Sequence, residues 1–567
     1  MYKNTILSVA TLLFLSFNVY AQEANNIQNV SNNVNIAQAN NAIKNGNSSA
    51  ETRNKEANPI IVNSNSELQN TTKVNESDKI YVEKFFFVGN RVLENTELKL
   101  AIQAYEKKRL SFQEITNVSN VITNYYRKKG YVISYAYIPE QVVKDSAIQI
   151  SIVEGKIGEV TVNGITGKKL KFVQDFLEPL KGGIVLDSHI LERSLLLINS
   201  FMGMTATATL APGENAGTSN IIVNVVESNP YRVYIGFDNF GTKETNEYRL
   251  VAAATFANLF KSGDRISLNF STGLDNFKFI ELLNARLDYK LPLGNDGTQL
   301  GFAYARSDYQ ATKDFKKLEL KGFSNDYSLY VEYPALLRSI ATINFNASFN
   351  VKDAQDELLN TEFRKDTLFN FYVGINGDIY PWYGASMYYN FGMYQGANPM
   401  FNGSQHSSRS SNEENGGYSE RFYLDFQYYQ NIVSFFRTRL FFAAQTTTET
   451  SFAPEKFYIG GINSVRGFES GIDSGDHGYK LNIEAEFDLY TPRVKMFAFY
   501  DRGQVGNYDN AQNRPYKEAS LDSVGVGLRI YPYRGFTLAV DYGYPLQSSQ
   551  KHEASWGKIY GRISYDF

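Results

Sequence analysis

Beyond Pro230 the chain alternates apolar and polar residues over one short run after another. Ile266, Leu268 and Phe270 interleave with Ser267, Asn269 and Ser271, and Ile343, Phe345, Ala347 and Phe349 with Asn344, Asn346, Ser348 and Asn350. Leu481, Ile483, Ala485, Phe487 and Leu489 do the same with Asn482, Glu484, Glu486 and Asp488. A period of two is that of a strand with one dry face and one wet face. A soluble sandwich would alternate in the same way, so the connections have to separate the two. Tight turns are expected at 261–264, 293–297, 334–338, 381–384, 491–493 and 532–535, and long polar loops at about 396–420, 506–520 and 547–555. Short turns at one rim and long loops at the other are the rhythm of an outer-membrane barrel. Counting strands this way gives sixteen from about Tyr231 to Phe567. The last places Ile559, Gly561, Ile563, Tyr565 and Phe567 on one face and Lys558, Arg562, Ser564 and Asp566 on the other.

Between residues 79 and 229 the pattern is mixed. A strand ending in the Gly89-Asn90 turn precedes a helix from Asn95 to about Tyr105. Ser111 and Glu114 have capping-box spacing and open a second helix. Its apolar face is Ile115, Val118, Ile122, Tyr125 and Tyr126, and Gly130 ends it. Strands at 132–138 and 147–153 follow. The same order recurs about 73 residues later: Val160-Thr161-Val162, a helix at 168–177, a helix from Asp187-Ser188 carrying Ile190, Leu191, Ser194, Leu195 and Ile198, and strands at 205–210 and 221–226. The endings Ile150-Ser151-Ile152-Val153-Glu154 and Val223-Asn224-Val225-Val226-Glu227 match. Two tandem β-α-α-β-β domains, 79–155 and 156–229, account for this before a barrel at 230–567.

The N-terminus reads as a signal peptide, 1–21, with Lys3, an apolar core from Ile6 to Phe17 and a small-residue site at Val19-Tyr20-Ala21. Residues 22–78, rich in Asn, Ser, Ala and Gln, read as a linker with room for a short plug helix at about 36–43. No uncharged apolar run of about 18 residues follows, so the chain can cross a membrane only as a closed barrel.

Composition removes several kinds of chemistry. There is no cysteine, the four histidines (His189, His406, His477, His552) have no ligand-like spacing, and the net charge is −3. Disulfides, thiolate metal sites, cysteine nucleophiles, histidine-based metal or catalytic sites and nucleic-acid binding are therefore not expected, and the sequence assigns no cofactor and no enzymatic activity. Forty Tyr, 40 Phe and 42 Gly coexist with a mean hydropathy of −0.34, as two-faced strands require. Glu484, Glu486, Asp501, Arg529, Asp541 and Arg562 fall inward by parity, which for most of them means only a wetted lumen.

One loop adds more. Between the eleventh and twelfth expected strands the chain reads Phe457-Tyr458-Ile459-Gly460-Gly461-Ile462-Asn463-Ser464-Val465-Arg466-Gly467-Phe468-Glu469-Ser470-Gly471. The core Val465, Arg466, Gly467 and Phe468 behind a Gly pair resembles the signature of the insertase and translocase superfamily of outer-membrane barrels. The wall motif Phe-x-Asp-x-Gly of that superfamily is matched by Phe499, Asp501 and Gly503 on the thirteenth strand. The resemblance implies that the loop folds into the lumen and that Arg466 meets Asp501 there. The tandem domains look like POTRA modules. Two of them before such a barrel resemble the TpsB transporters of two-partner secretion, the ShlB/FhaC/HecB-like haemolysin secretion/activation proteins.

That resemblance implies an outer-membrane exporter with periplasmic POTRA domains. Its partner would be a large secreted TpsA-like exoprotein (an adhesin or haemolysin), bound unfolded, with docking by β-augmentation at 132–138 or 205–210. Outer-membrane lipids and the barrel-assembly machinery would be further partners, with Tyr565 and Phe567 as the assembly signal. A barrel-assembly insertase and a passive porin are the alternatives. The insertase would be expected to carry more POTRA domains, and the porin explains neither the tandem domains nor the Arg466 loop.

Overall fold

The computed structural model describes residues 60–62, 79–241, 246–275, 278–310, 319–405, 410–412, 415–509, 514–546 and 556–567. The expected signal peptide, the helix at 36–43 and the loop at 547–555 lie outside them. The described residues fall into two units, Asn58–Asn229 and Pro230–Phe567.

The first unit opens with β1 (Ile60–Val62), followed by β2 (Ile80–Val82), β3 (Lys84–Val88), α1 (Asn95–Ile102), β4 (Lys108–Leu110), α2 (Phe112–Lys128), β5 (Tyr135–Tyr137) and β6 (Ala147–Val153). The sheet order is β3-β6-β5, with β3 parallel to β6. Phe85, Ile148, Ile150 and Ile152 pack beneath Leu98, Ile115, Val118 and Ile122 of the two helices. The capping box forms as read. Ser111 Oγ accepts from the Glu114 N–H at 3.2 Å, and the Glu114 carboxylate accepts from the Ser111 N–H at 2.7 Å. Glu154, at the end of β6, accepts from the Arg91 and Val92 N–H groups and from Tyr126 Oη at 2.7, 2.9 and 3.0 Å. Burial and this carboxylate push the Tyr126 hydroxyl pKa well up.

The repeat supplies β7 (Lys156–Asn163), α3 (Gly167–Leu177), α4 (Ser188–Ser200), β8 (Met204–Pro212) and β9 (Thr218–Glu227). Its matching terminal Glu227 is exposed and pairs with Lys169, so equal sequence endings do unequal work. Ile190, expected on the apolar face of α4, is exposed, while Leu191, Leu195 and Ile198 are buried. Ser188 and Leu186 N–H groups bond to the carbonyls of Gly130 and Gly155, each at 2.9 Å, joining the two domains. The sheet order is β1-β8-β9-β7. Two expectations need correction here. The segment read as linker contributes a strand, with Ile60 opposite Ala208 and Val62 opposite Leu210 in parallel. The 205–210 edge proposed for docking is therefore already paired. An Ile-Ile-Val run has high strand propensity, and an open edge offers it unpaired N–H and C=O groups.

The second unit is a closed barrel of sixteen strands. They are β10 (Tyr231–Asp238), β11 (Arg249–Ala257), β12 (Arg265–Asp275), β13 (Lys278–Pro292), β14 (Gln299–Gln310), β15 (Lys321–Leu337), β16 (Thr342–Leu358), β17 (Thr361–Ile379), β18 (Ala385–Gly396), β19 (Glu420–Val433) and β20 (Phe436–Thr447), then β23 (His477–Asp488), β24 (Val494–Asp509), β25 (Arg514–Ile530), β26 (Phe536–Pro545) and β27 (Lys558–Asp566). A small hairpin, β21 (Phe457–Ile459) with β22 (Asp473–Gly475), stands apart from the wall. Outward positions such as Phe270, Leu329, Val373, Ile483 and Val526 are exposed and apolar, as a lipid-facing surface requires. Aromatic residues at the short-turn rim, including Phe260, Trp382, Phe435, Tyr490 and Tyr533, are also exposed and suit a membrane interface.

Two expected connections move. Pro334 lies inside β15 at a register shift, because it has no N–H to give the ladder, and the turn falls at Arg338 and Ala341. The expected long loop at 506–520 is largely an extension of the β24–β25 hairpin, which pairs as far as Asp509 and Arg514.

The capping box carries a test. Ser111→Ala should destabilise the unit 58–229 by about 1 kcal/mol in urea titrations. The Ser111 backbone and hydroxyl bonds hold the Glu114 carboxyl below its usual pKa. Its contribution is therefore full above the unfolded value of about 4.3 and fades as pH falls through the lower folded value. Glu114→Gln should flatten that acid-side loss of stability, and an unchanged pH profile would contradict the assignment.

Candidate functional site

The connection from β20 to β23 does not project from the rim but packs inside the barrel. Phe457, Ile459, Val465, Phe468 and Ile472 of this loop form one buried cluster with Ala443, Val505 and Leu521 of the wall. Gly460 and Gly461 (φ +101° and +90°) and Gly467 (φ +93°) make the reversals, a backbone region that L side chains rarely adopt. Gly467 also lies against the wall itself, since a Cβ there would sit 2.8 Å from the Gly543 carbonyl oxygen.

The turn between those glycines aims Arg466 at the wall. Its Nε and Nη2 donate to the two Asp501 oxygens at 2.7 and 2.8 Å, and its backbone N–H adds a third bond at 3.1 Å. Nη1 reaches Glu484 at 2.7 Å and Asp541 at 3.2 Å. Arg466 is 3% exposed and Asp501 is fully buried. The two-pronged contact fixes both the depth and the plane of the guanidinium. That plane also lies 3.4 Å from the Phe499 ring centroid. The Phe499 ring in turn covers Gly525 on the next strand, where a Cβ would come within 2.2 Å of it. Gly503 has a related reason, because a Cβ there would meet Val465 at 2.9 Å. All seven predicted motif residues, Val465, Arg466, Gly467, Phe468, Phe499, Asp501 and Gly503, therefore meet at one place.

Further wall residues hold the loop. Tyr560 Oη donates to the Phe468 carbonyl at 2.7 Å, Lys480 Nζ donates to the Asn463 carbonyl at 3.1 Å, and Lys558 pairs with Glu469. The reading of most inward charges as a wetted lumen fails for Glu484 and Asp541, which touch Arg466, and for their neighbours. Arg529 bonds both Glu484 and Glu486 (3.1 and 3.0 Å) and lies over Phe497. Glu486 also meets Arg437, Arg439 and Lys495. One ion network thus runs from the loop tip to the Arg437–Asp488 pair at the short-turn rim. Sequence parity placed Glu484, Glu486, Arg529 and Asp541 inward but could not say which of them the folded-in loop would meet, nor that Arg437, Arg439 and Lys495 would join them. Tyr565 and Phe567 stand apart from this site, on the outer face of the last strand, with Phe567 exposed.

Comparison with known proteins agrees with this geometry. Residues 217–530 match the family described as haemolysin secretion/activation protein ShlB/FhaC/HecB, and residues 80–155 match the ShlB-type POTRA domain. The chain belongs to the ShlB/FhaC/HecB family. It is accordingly a two-partner outer-membrane transporter, with POTRA domains in the periplasm. Its relatives include the heme/hemopexin transporter protein HuxB of Haemophilus influenzae, 25% identical over 81% of this chain and 82% of that one. The outer membrane transporter CdiB of Dickeya dadantii is 23% identical over 77% of each. The solved structure of CdiB from Escherichia coli has the same fold, with a TM-score of 0.77 at 19% identity over 97% of this chain and 99% of that one.

In this transporter, taking away one partner of a buried ion pair costs roughly 3–5 kcal/mol. Arg466→Ala should therefore loosen the loop and raise single-channel conductance in planar bilayers. Gly503→Val should do the same by displacing Val465, with no charge altered. Wild-type conductance in both variants would show that the loop does not close the lumen.

Proposed function

We propose that the Arg466–Asp501 contact is the resting latch of an export channel. In this reading an unfolded secreted protein docks on the POTRA pair, the loop leaves the wall, and the cargo threads the polar lumen to fold outside. The observation that carries it is a single arginine, buried inside a transport lumen, bonded to three carboxylates on three different strands. Such a contact is strong while intact and is lost as a unit when the loop moves. Folding outside supplies direction, since the sequence has no GxxxxGK[ST] loop for a nucleotide.

The partner is a large TpsA-like exoprotein. The relative HuxB is described as a heme/hemopexin transporter, which adds a cargo connected with heme or hemopexin as a candidate beside an adhesin or haemolysin. With β8 already paired to β1, docking by strand addition falls to the β5 edge, Tyr135–Tyr137, where both tyrosines are exposed. Tyr565 and Phe567, outward on the last strand, are the signal read by the barrel-assembly machinery, and the lipid-facing wall meets outer-membrane lipids.

Charge reversal tests the latch. Arg466→Glu and Asp501→Arg should each cut secretion of the partner about ten-fold or more, while the barrel still inserts and migrates as a folded, heat-modifiable band. Undiminished export in both variants would overturn the assigned role.

A further inference from the structure

The lipid-facing wall is not apolar throughout. On β24 the outward residues run Met496, Ala498, Tyr500 and then Arg502, and on β25 they run Val526, Val524 and then Asp522. Arg502 is outward because it alternates with the inward Asp501 and Gly503 and pairs with Leu481 and Asp522. Its Nε donates to Tyr479 Oη at 3.0 Å and its Nη1 to Asp522 Oδ1 at 2.9 Å, while Tyr500 Oη donates to the same oxygen at 2.7 Å. Asp522 is nearly buried, with a side chain 5% exposed, and the arginine side chain is 38% exposed. A buried carboxylate and two tyrosines thus hold a guanidinium at the outer surface in a fixed plane.

A second outward arginine–aspartate cluster, with a more exposed carboxylate, stands on β14 and β15. Arg306 donates to both Asp308 oxygens at 2.7 and 2.6 Å and to Asn325 at 3.2 Å, and it lies over Phe323. The two arginines share a height on the wall. Arg502 is eight residues from the start of β24 and Arg306 seven from the start of β14, both counted from the short-turn rim. At about 3.3 Å per residue and a tilt near 40°, both lie roughly 18–20 Å across an apolar band about 25 Å tall. That is close to its far edge, where hydrocarbon gives way to headgroups. Exposed Tyr542 and Tyr544 of β26 lie near the same edge, as aromatic residues at a membrane interface do.

We propose that Arg502 and Arg306 are binding sites for the phosphate of lipid headgroups in the outer leaflet. A planar guanidinium presents its donors in the fork that matches a phosphate. The neighbouring aspartate occupies part of that fork, orients the rest and keeps the charge paired when no lipid is bound. The barrel would then carry one anchor on each of two separate stretches of its wall, fixing its depth and tilt. This rests on the outer-membrane location of the barrel and not on the latch, so its failure would leave the export reading untouched.

The test uses the full-length protein in detergent, with lipopolysaccharide, phosphatidylglycerol or inorganic phosphate as the added probe. Native mass spectrometry reads retained lipid, and a melting shift reads stabilisation. One of the two phosphate-bearing lipids should bind wild type, and the double variant Arg306→Leu/Arg502→Leu should bind it about ten-fold more weakly, the loss of a charge-assisted contact at each site. Arg502→Lys keeps the charge but not the fork and should fall between the two. If the double variant does not insert, Arg502→Gln alone is read against wild type in the same way. Equal lipid retention by wild type and variant would overturn the proposal. So would stabilisation by inorganic phosphate equal to that by either lipid, or a change in oligomeric state on substitution with lipid retention unaltered, which would make the cluster a contact between copies.

Discussion

A guanidinium taken out of bulk water must find negative charge, and the interior of this barrel is arranged around meeting that demand for Arg466. Asp501 supplies the two-pronged contact, and Glu484 and Asp541 take the remaining nitrogen. Asp501 and Asp541 are buried and Glu484 is largely so, and each would be costly without a cation beside it. Loop and wall are therefore mutually dependent. The loop packs inward because the wall is acidic there, and the acidic wall is tolerable because the loop brings a charge. The same logic extends down the wall through Arg529, Glu486, Lys495 and Arg437, where every carboxylate has a cationic neighbour. Substitutions in this network should not behave additively.

Small residues make the arrangement sterically possible. Phe497 and Phe499 lie over Gly527 and Gly525, filling the space that a side chain would otherwise take, and both guanidinium groups then rest on the rings. Gly503 and Gly543 let the loop backbone come close enough for Arg466 to reach. The glycine of the wall motif is thus a packing requirement of the loop, and the phenylalanine is the platform for its charge.

Much of this was legible in the sequence, for identifiable reasons. Alternation is a local property, so the sixteen strands and the inward parity of Asp501 could be read from neighbouring residues. The capping box of Ser111 and Glu114 is also local. What was missed depends on distant partners. Glu484 and Asp541 sit on neighbouring strands of one stretch of wall and meet Arg466 only because the loop folds back against it. The strand at Ile60–Val62 is defined by an edge almost 150 residues away in sequence. Glu154 and Glu227 end segments of the same pattern, yet only Glu154 lies beneath a turn whose N–H groups and a tyrosine converge on it. The hairpin extension beyond Gly506 was hidden by polar composition, which looks the same in a loop and in a strand that has left the membrane.

The seam between β10 and β27 has a kinetic consequence. It pairs only from Tyr234 to Asp238 with Asp566 to Arg562 and is fastened by Arg232 on Asp566 and by the Phe567 N–H on the Val233 carbonyl. These partners stand 334 residues apart in Arg232 and Asp566, the largest separation a ladder in this barrel has to span. Every other neighbouring pair can zip from a local turn or a modest loop. This one must wait until the sheet has curled fully round. Until then the growing barrel is an open sheet with two unsatisfied margins. Circularisation is therefore the step at which the nascent barrel is most exposed to aggregation, and a short ladder reinforced by the Arg232–Asp566 pair and by Asn239 bonds to Ile559 and Gly561 is what completes it.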